Sequence, residues 1–362
     1  MFGRFDETRL RWIAARRSLL ADAQLVADSV QPAAGHALRS ITELIERMGE
    51  DGEALFRDVF FLLWLRELNK ELIEVADGRS LGVKPGLVQQ GLDLVANENR
   101  ARPFPQCGGL SIFDRYVDVV HGSEFDYEVE WEFQINAAQW LSSLDKSLTL
   151  LQQHSPSREL VLGYTRYIAP LRNARTMHNI SFSERRLPGV IFKNDELSPY
   201  LFAETLVHES DHQFYYALEE ISSHWVARSA LDDVAHYSPW RDDPRPLDGI
   251  MRGLSAFARV SHFYTAVLAS ADNNDLDAIA RSLASRVVQC EHASSSLSKS
   301  QALSISGAEY VDEINTVLQQ CKATLSQFDP QGRWLEAAKS VVTAHRTAWQ
   351  HRNSTFVSQA LE

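Results

Sequence analysis

The chain has 362 residues, with 48 acidic against 36 basic side chains, a formal charge of −12, 44% hydrophobic residues and 23% charged ones. That length builds one large core or two modest ones. The acidic surplus argues against nucleic acid or an anionic membrane as a partner, because both reward clustered Lys and Arg.

The N-terminal MFGRFDETRLRW lacks an apolar stretch before its acidic residues, and no apolar run approaches the ~20 residues of a bilayer span. The expectation is a cytoplasmic protein. Cys107, Cys290 and Cys321 are widely spaced and contain no CxxC pair, so they read as reduced, small buried side chains.

Helical periodicity predicts helices near 8–28, 37–49, 51–75, 136–154 and 157–172. The third carries Leu55, Phe61, Leu62, Leu65 and Leu68 and is too apolar for an exposed helix. Residues 98–134, with Pro103, Pro105, Gly108 and Gly109, read as loop with short strands. Over 178–193, HNISFS and VIFKND flank a turn at Pro188 and Gly189, which predicts a small antiparallel ribbon. Ser198 and Pro199 then start a helix. Helices are predicted again over 275–296, 307–327 and 331–352. The fold class expected is mainly α, a multi-helix bundle-like architecture with a small antiparallel β ribbon before the central motif. Its segments are an N-terminal helical region (1–177), a central region (178–272) and a C-terminal helical region (273–362), read as one unit.

Within LFAETLVHESDHQFYYALEE, His208, Glu209 and His212 form HExxH. Residues four apart lie on one helix face, so both imidazoles can reach one metal, with Glu209 about 100° round. Glu204 and Asp211 are carboxylates within reach of a ligand histidine's second N–H. The other positions (Leu201, Leu206, Val207, Phe214, Tyr215, Leu218) are apolar, and histidines buried among them are costly unless paired or liganded. The bland alternative is a pair of surface histidines near carboxylates.

A metal needs a third protein ligand. The metzincin continuation fails, since it requires Gly and His where this chain has Tyr215 and Leu218. A carboxylate on a following helix remains open through Glu219, Glu220, Asp232 or Asp233. The segment 249–270 offers more: Arg252, Ser255, Arg259 and His262 recur at spacings of 3, 4 and 3, with Ile250, Leu254, Phe257, Tyr264 and Leu268 as an apolar flank. On that spacing His262 completes the metal site, and Arg252 or Arg259 binds an anionic co-substrate. A solvated face with a lone histidine is the plain alternative. Just upstream, Pro239, Pro244 and Pro246 stiffen a loop carrying Trp240, Arg241, Asp242 and Arg245.

AETLVHESDH followed by YSPWRDDPRPLDGIMRGLSAFARVSHFY resembles the HExxH-motif family of ribosomally made, post-translationally modified peptide pathways, including its 2-oxoglutarate-dependent iron hydroxylases. The specific match covers about residues 200–265. The resemblance implies that His208 and His212 hold Fe(II), that O2 and 2-oxoglutarate are co-substrates, and that a β-carbon of a precursor peptide is hydroxylated. It also implies that PWRDDPRP is the family's loop. Where many members have His-Gly this chain has Arg252-Gly253, which leaves His262 as the third ligand by spacing. Arg245, Arg252 or Arg259 would then grip the distal carboxylate of 2-oxoglutarate. Under this reading Glu209 either supports a metal ligand or faces substrate. Under the alternative, a Zn(II) metallopeptidase, it is the general base. A helical binding module without a tight metal is the third class.

Overall fold

The computed structural model describes residues 5–84, 86–97, 106–112, 137–170, 180–194, 198–221, 225–226, 236–271 and 275–354. Among them are α1 (Phe5–Val30), α2 (Pro32–Met48), α3 (Glu50–Leu55), α4 (Val59–Ala76), α5 (Leu87–Asn97), α6 (Ala137–Leu151) and α7 (Ser155–Tyr164). The remaining helices are α8 (Pro199–Ile221), α9 (Leu247–Ser270), α10 (Leu276–Lys299), α11 (Ile305–Phe328) and α12 (Arg333–Arg352). Short strands β1 (Gln106–Cys107), β2 (Leu110–Ile112), β3 (Tyr167–Pro170), β4 (Ser181–Ser183) and β5 (Val190–Lys193) form one sheet in the order β1-β2-β3-β5-β4. The fold is mainly α, as its periodicity predicts. Among the described residues no helix is long and apolar enough to cross a membrane.

Three elements depart from the sequence reading, each for a local reason. The helix expected over 51–75 is two helices, because the Asp58 carboxylate accepts the N–H groups of Phe60 and Phe61 and starts α4 afresh. Tyr167 Oη donates to the other Asp58 oxygen at 2.6 Å and ties this cap to the sheet. The helix expected over 157–172 ends at Tyr164, and Tyr167–Pro170 becomes a strand parallel to both β2 and β5. The ribbon is present as the antiparallel pair β4 and β5, but it is the margin of a five-stranded mixed sheet rather than a free hairpin. Among 98–134, the short strands expected are β1 and β2, and the rest of that segment lies outside the described residues.

Strand alternation divides the sheet between two cores. Leu110, Ile112, Ile168 and Ile191 face the main helical core, where they meet Phe202, Leu206, Phe214, Ile250, Leu254 and Tyr310. Tyr167, Ala169, Val190 and Phe192 face the other way onto Val59 of α4. The main core runs from Phe5 in α1 to Val342 in α12, so residues from all three sequence segments pack in one cluster around α8 and α9. A further core joins α1 to α5 through Leu38, Ile41, Phe61, Leu65 and Leu68. Cys290 and Cys321 are buried, free thiols whose burial pushes them up, Cys321 to about 11, and thus into the unreactive protonated form.

Candidate functional site

Ser198 starts α8 as expected. Its carbonyl accepts from Phe202 N at 3.0 Å and its hydroxyl from Leu201 N at 3.4 Å. About four turns further on, Gln213 docks the hairpin turn. Its carbonyl oxygen accepts from Gly189 N at 3.1 Å, and its amide donates to the carbonyls of Leu187 and Val190 at 3.3 and 3.2 Å. Gly189 adopts φ +80°, a left-handed turn conformation that glycine takes without strain. These bonds fix the β4 and β5 hairpin against the motif helix.

His208 and His212 lie on one face of α8 with ring centres 4.6 Å apart and planes at 82°. Two imidazoles sharing one ion at about 2.1 Å, with an angle between them near a tetrahedral or octahedral value, have ring centres about 4.5–5.3 Å apart. The pair meets that spacing. Phe257 of α9 packs on His208 at 4.5 Å, and Tyr216 stacks on His212 at 6.5 Å. Burial holds His208 well below the ordinary imidazole range, helped by His212 and Arg286, and brings His212 down to about 4, helped by Arg252. Both rings are therefore neutral near pH 7, the form that ligates. The buried Nδ1 of each has no hydrogen-bond partner among the described residues. Two half-buried, neutral imidazoles, each with a buried and unsatisfied nitrogen, fit a divalent metal as two of its ligands.

Glu209 turns toward the sheet. Ser181 and Ser183, two apart on β4 and so on one face, donate to its two oxygens at 2.9 and 2.8 Å. Burial raises this carboxyl to about 7, against the pull of both serines and of the fully buried Lys193 ammonium. Lys193 Nζ donates to Asn194 Oδ1 at 3.1 Å. The serines were not among the residues singled out by sequence. The signal was the alternation in HNISFS, which puts two hydroxyls on the strand face opposite Phe182. Phe182 stacks on Phe192 at 4.6 Å on the other side.

The carboxylates assigned to orient the histidines do other work. Glu204 accepts from Arg286 Nε and Nη2 at 3.0 and 2.7 Å and from Tyr264 Oη at 2.6 Å. Asp211, fully buried, pairs with the nearly buried Arg259. Ser255 and Tyr310, whose hydroxyls lie 2.7 Å apart, join that pair. A buried carboxylate recruits a full positive charge where one is available, and α9 and α10 supply two. The histidines are left without a carboxylate partner among the described residues.

The stripe on α9 is also dispersed. Ten residues of helix span about 15 Å, so Arg252 and His262 cannot attend one small site. Arg252 lies by His212 and Tyr216, paired with Asp248 at 3.1 Å. Arg259 is engaged by Asp211, and Arg245 by Asp243 at 2.9 Å. His262, five residues after the Phe257 that covers His208, is turned by about 140° from it. It packs instead against His154, with ring centres 4.4 Å apart and planes at 86°. His262 as third ligand is thus corrected: among the described residues no group of three or more His, Cys, Asp or Glu is placed to hold a metal. Of the carboxylate alternatives, Glu220 is bonded by Trp12 Nε1 at 2.5 Å and paired with Arg16. Glu219 pairs with Arg185 at 3.3 Å, and Asp232 and Asp233 lie outside the described residues.

The proline-stiffened loop covers this face. Trp240 stacks on Phe257 at 4.8 Å and 16°, and Pro239 O accepts from Gln289 at 3.1 Å. Asp242 pairs with Arg352 at 2.8 Å. Gly253 allows the approach, since a Cβ there would meet the Trp240 ring at 2.9 Å. No family model matches the chain, and a search of curated proteins finds no similar one.

Proposed function

We propose that the protein is an HExxH metalloenzyme whose His208 and His212 hold one divalent ion, and that it is a 2-oxoglutarate- and O2-dependent Fe(II) oxygenase hydroxylating a β-carbon in a ribosomally made precursor peptide. The observation that carries the metal is the histidine pair: 4.6 Å between ring centres, neutral, and with an unsatisfied nitrogen on each ring. The iron assignment and the peptide substrate rest on the resemblance of residues 200–265 to the iron hydroxylases. Bound iron would supply the oxidising power for C–H hydroxylation, with 2-oxoglutarate as the electron donor that balances O2.

The chain's own residues have definable parts. Arg252, half-buried beside His212 and paired with Asp248, is on this reading the guanidinium that binds a carboxylate of the oxo acid, because it is the one of the three arginines beside a motif histidine; Arg259 pairs with Asp211 and Arg245 with Asp243. Phe257 and Tyr216 pack on the two rings and Trp240 backs Phe257, which covers part of the pair and leaves part of each ring exposed. Among the described residues β4 is a sheet-edge strand beside Glu209, a place where an extended peptide can add by main-chain pairing.

One observation favours the second reading, a zinc peptidase. Glu209 is raised to about 7, where a carboxylate is an effective general base at neutral pH. Anaerobic addition of Fe(II) and then 2-oxoglutarate separates the two. The oxygenase predicts a visible charge-transfer band that O2 bleaches and that His208→Ala lacks. Stoichiometric zinc, no band and cleavage of peptide would establish the peptidase.

A further inference from the structure

We propose that an arginine-faced patch at the end of α8 binds an acidic stretch of the peptide on which the motif acts, a proposal that rests on the reading of a peptide substrate. In a chain of formal charge −12 the patch is a local exception. Arg11 of α1, Arg66 of α4, and Arg185 and Arg186 of the turn between β4 and β5 gather around the last turn of α8. Glu220 is shared by Arg66 at 3.6 Å and the buried Arg16 at 3.3 Å, Glu219 pairs with Arg185 at 3.3 Å, and Glu184 lies 3.8 Å from Arg186. Among the described residues five arginines there meet three glutamates.

The cations are outermost. The side chains of Arg66, Arg185 and Arg186 are 38%, 51% and 55% exposed, against 12% for Glu219 and 27% for Glu220. Backbone carbonyls hold two of the guanidiniums in place: Arg11 Nη2 donates to Ile221 O at 3.3 Å and Arg66 Nη1 to Arg186 O at 3.0 Å. A guanidinium has five N–H donors, so these bonds leave others facing water. Burial lowers Arg66 and its neighbour Arg185 lowers it further, the mark of crowded cations.

The patch adjoins the motif. Arg185 Cζ lies 5.9 Å from the centre of the Tyr216 ring, which in turn stacks on His212 at 6.5 Å. The two steps together reach at most about 12 Å, the length of about four extended residues. β4, a sheet-edge strand among the described residues, runs directly into Glu184, Arg185 and Arg186, so a chain paired along it is led onto the guanidiniums. Guanidinium forks suit carboxylate and phosphate alike. The chain's net charge favours a peptide, which brings a few carboxylates, over a nucleic acid, which carries a charge on every residue.

The test is fluorescence anisotropy with a labelled decapeptide alternating Glu and Gly, against its Gln and Gly counterpart and a ten-nucleotide oligothymidylate, using the full chain. The wild type should bind the Glu peptide more tightly than the Gln peptide, and more weakly as salt rises. Arg185→Glu/Arg186→Glu should weaken it by about tenfold or more, and Arg185→Gln/Arg186→Gln by less. Arg79→Glu/Arg281→Glu makes the same change in charge at exposed positions elsewhere and should stay within about twofold of wild type. Circular dichroism checks folding of each variant, and the Gln pair keeps the test decisive if the Glu pair misfolds. Equal affinity for Glu and Gln peptides overturns the proposal, as do equal losses in the patch and control variants. Oligothymidylate bound as tightly as the Glu peptide would overturn the choice of a peptide. Failure of the motif reading looks different: His208→Ala/His212→Ala should bind the Glu peptide like wild type, and a wild type that takes no metal yet selects that peptide would remove the motif site and leave the patch standing.

Discussion

The protein holds two perpendicular histidine pairs of nearly equal spacing, and their differences are more instructive than the likeness. His208 and His212 come from one helix, four residues apart, so the α-helix alone sets their spacing. His154 is the N-cap of α7 and His262 belongs to α9, more than a hundred positions apart in the chain, so only tertiary packing brings them together. The first pair has Glu209, Arg252 and a stiffened loop around it, whereas the second has a one-atom cavity and a serine. A motif within one helix is surrounded by chemistry, and the pair assembled across helices by little more than packing.

Substitution should separate the pairs first by activity. His208→Ala or His212→Ala is expected to abolish the Fe(II) and 2-oxoglutarate band and reduce turnover to background, while His154→Gln leaves both within about twofold, checked by absorption and by succinate release. Equal losses from the two pairs would break the distinction.

The next effect tests the link between the regions. Asp211 lies between the two histidines of the first pair on α8, and Arg259 lines the cavity of the second. Removing one partner of a buried ion pair costs about 3–5 kcal/mol, so Asp211→Ala should lower the unfolding free energy by that amount in urea titration. A loss under about 1 kcal/mol would mean that the pair is not buried in solution.

Ser183→Ala removes one donor from Glu209, with an expected stability loss of about 1–2 kcal/mol and a carboxyl pushed above its present value of about 7. The corresponding shift of the activity profile to higher pH is readable from kcat/KM against pH.

Acid should weaken both pairs. In the metal-free chain His154 and His212 titrate at about 4, against roughly 6.5 when unfolded. Below about pH 6.5 the unfolded chain takes up protons that the folded one refuses, so stability falls from there to about pH 4. Glu209 acts in reverse: its raised carboxyl costs stability as pH climbs from the unfolded value near 4.5 toward 7. His154→Gln should flatten the acid arm and Glu209→Gln the neutral one. At Gly253, Gly253→Ala forces Trp240 off α9 and should quench or shift tryptophan emission, with about 1–3 kcal/mol of stability lost.

How legible this was in the sequence follows the same divide. Periodicity and caps located the helices, including the start of α8 at Ser198, and HExxH placed its own two histidines on one face. Local rules failed where a distant group intervened. Asp58 splits α3 from α4 because Tyr167, far along the chain, steadies its cap. Glu204 and Asp211 read as partners of the histidines next to them, yet Arg286 and Arg259 claim them from other helices. The α9 stripe looked like one polar face, but its 15 Å of axis, about ten residues at 1.5 Å each, spreads it over three environments. His262 reaches His154 by packing, which no spacing within α9 encodes.

The account stands most directly on where metal binds. Anomalous diffraction at the iron edge, from crystals grown anaerobically with Fe(II), should show a peak within about 2.1 Å of a ring nitrogen of both His208 and His212. Well-ordered rings at those positions with no peak between them, in crystals that contain iron elsewhere or not at all, would contradict it.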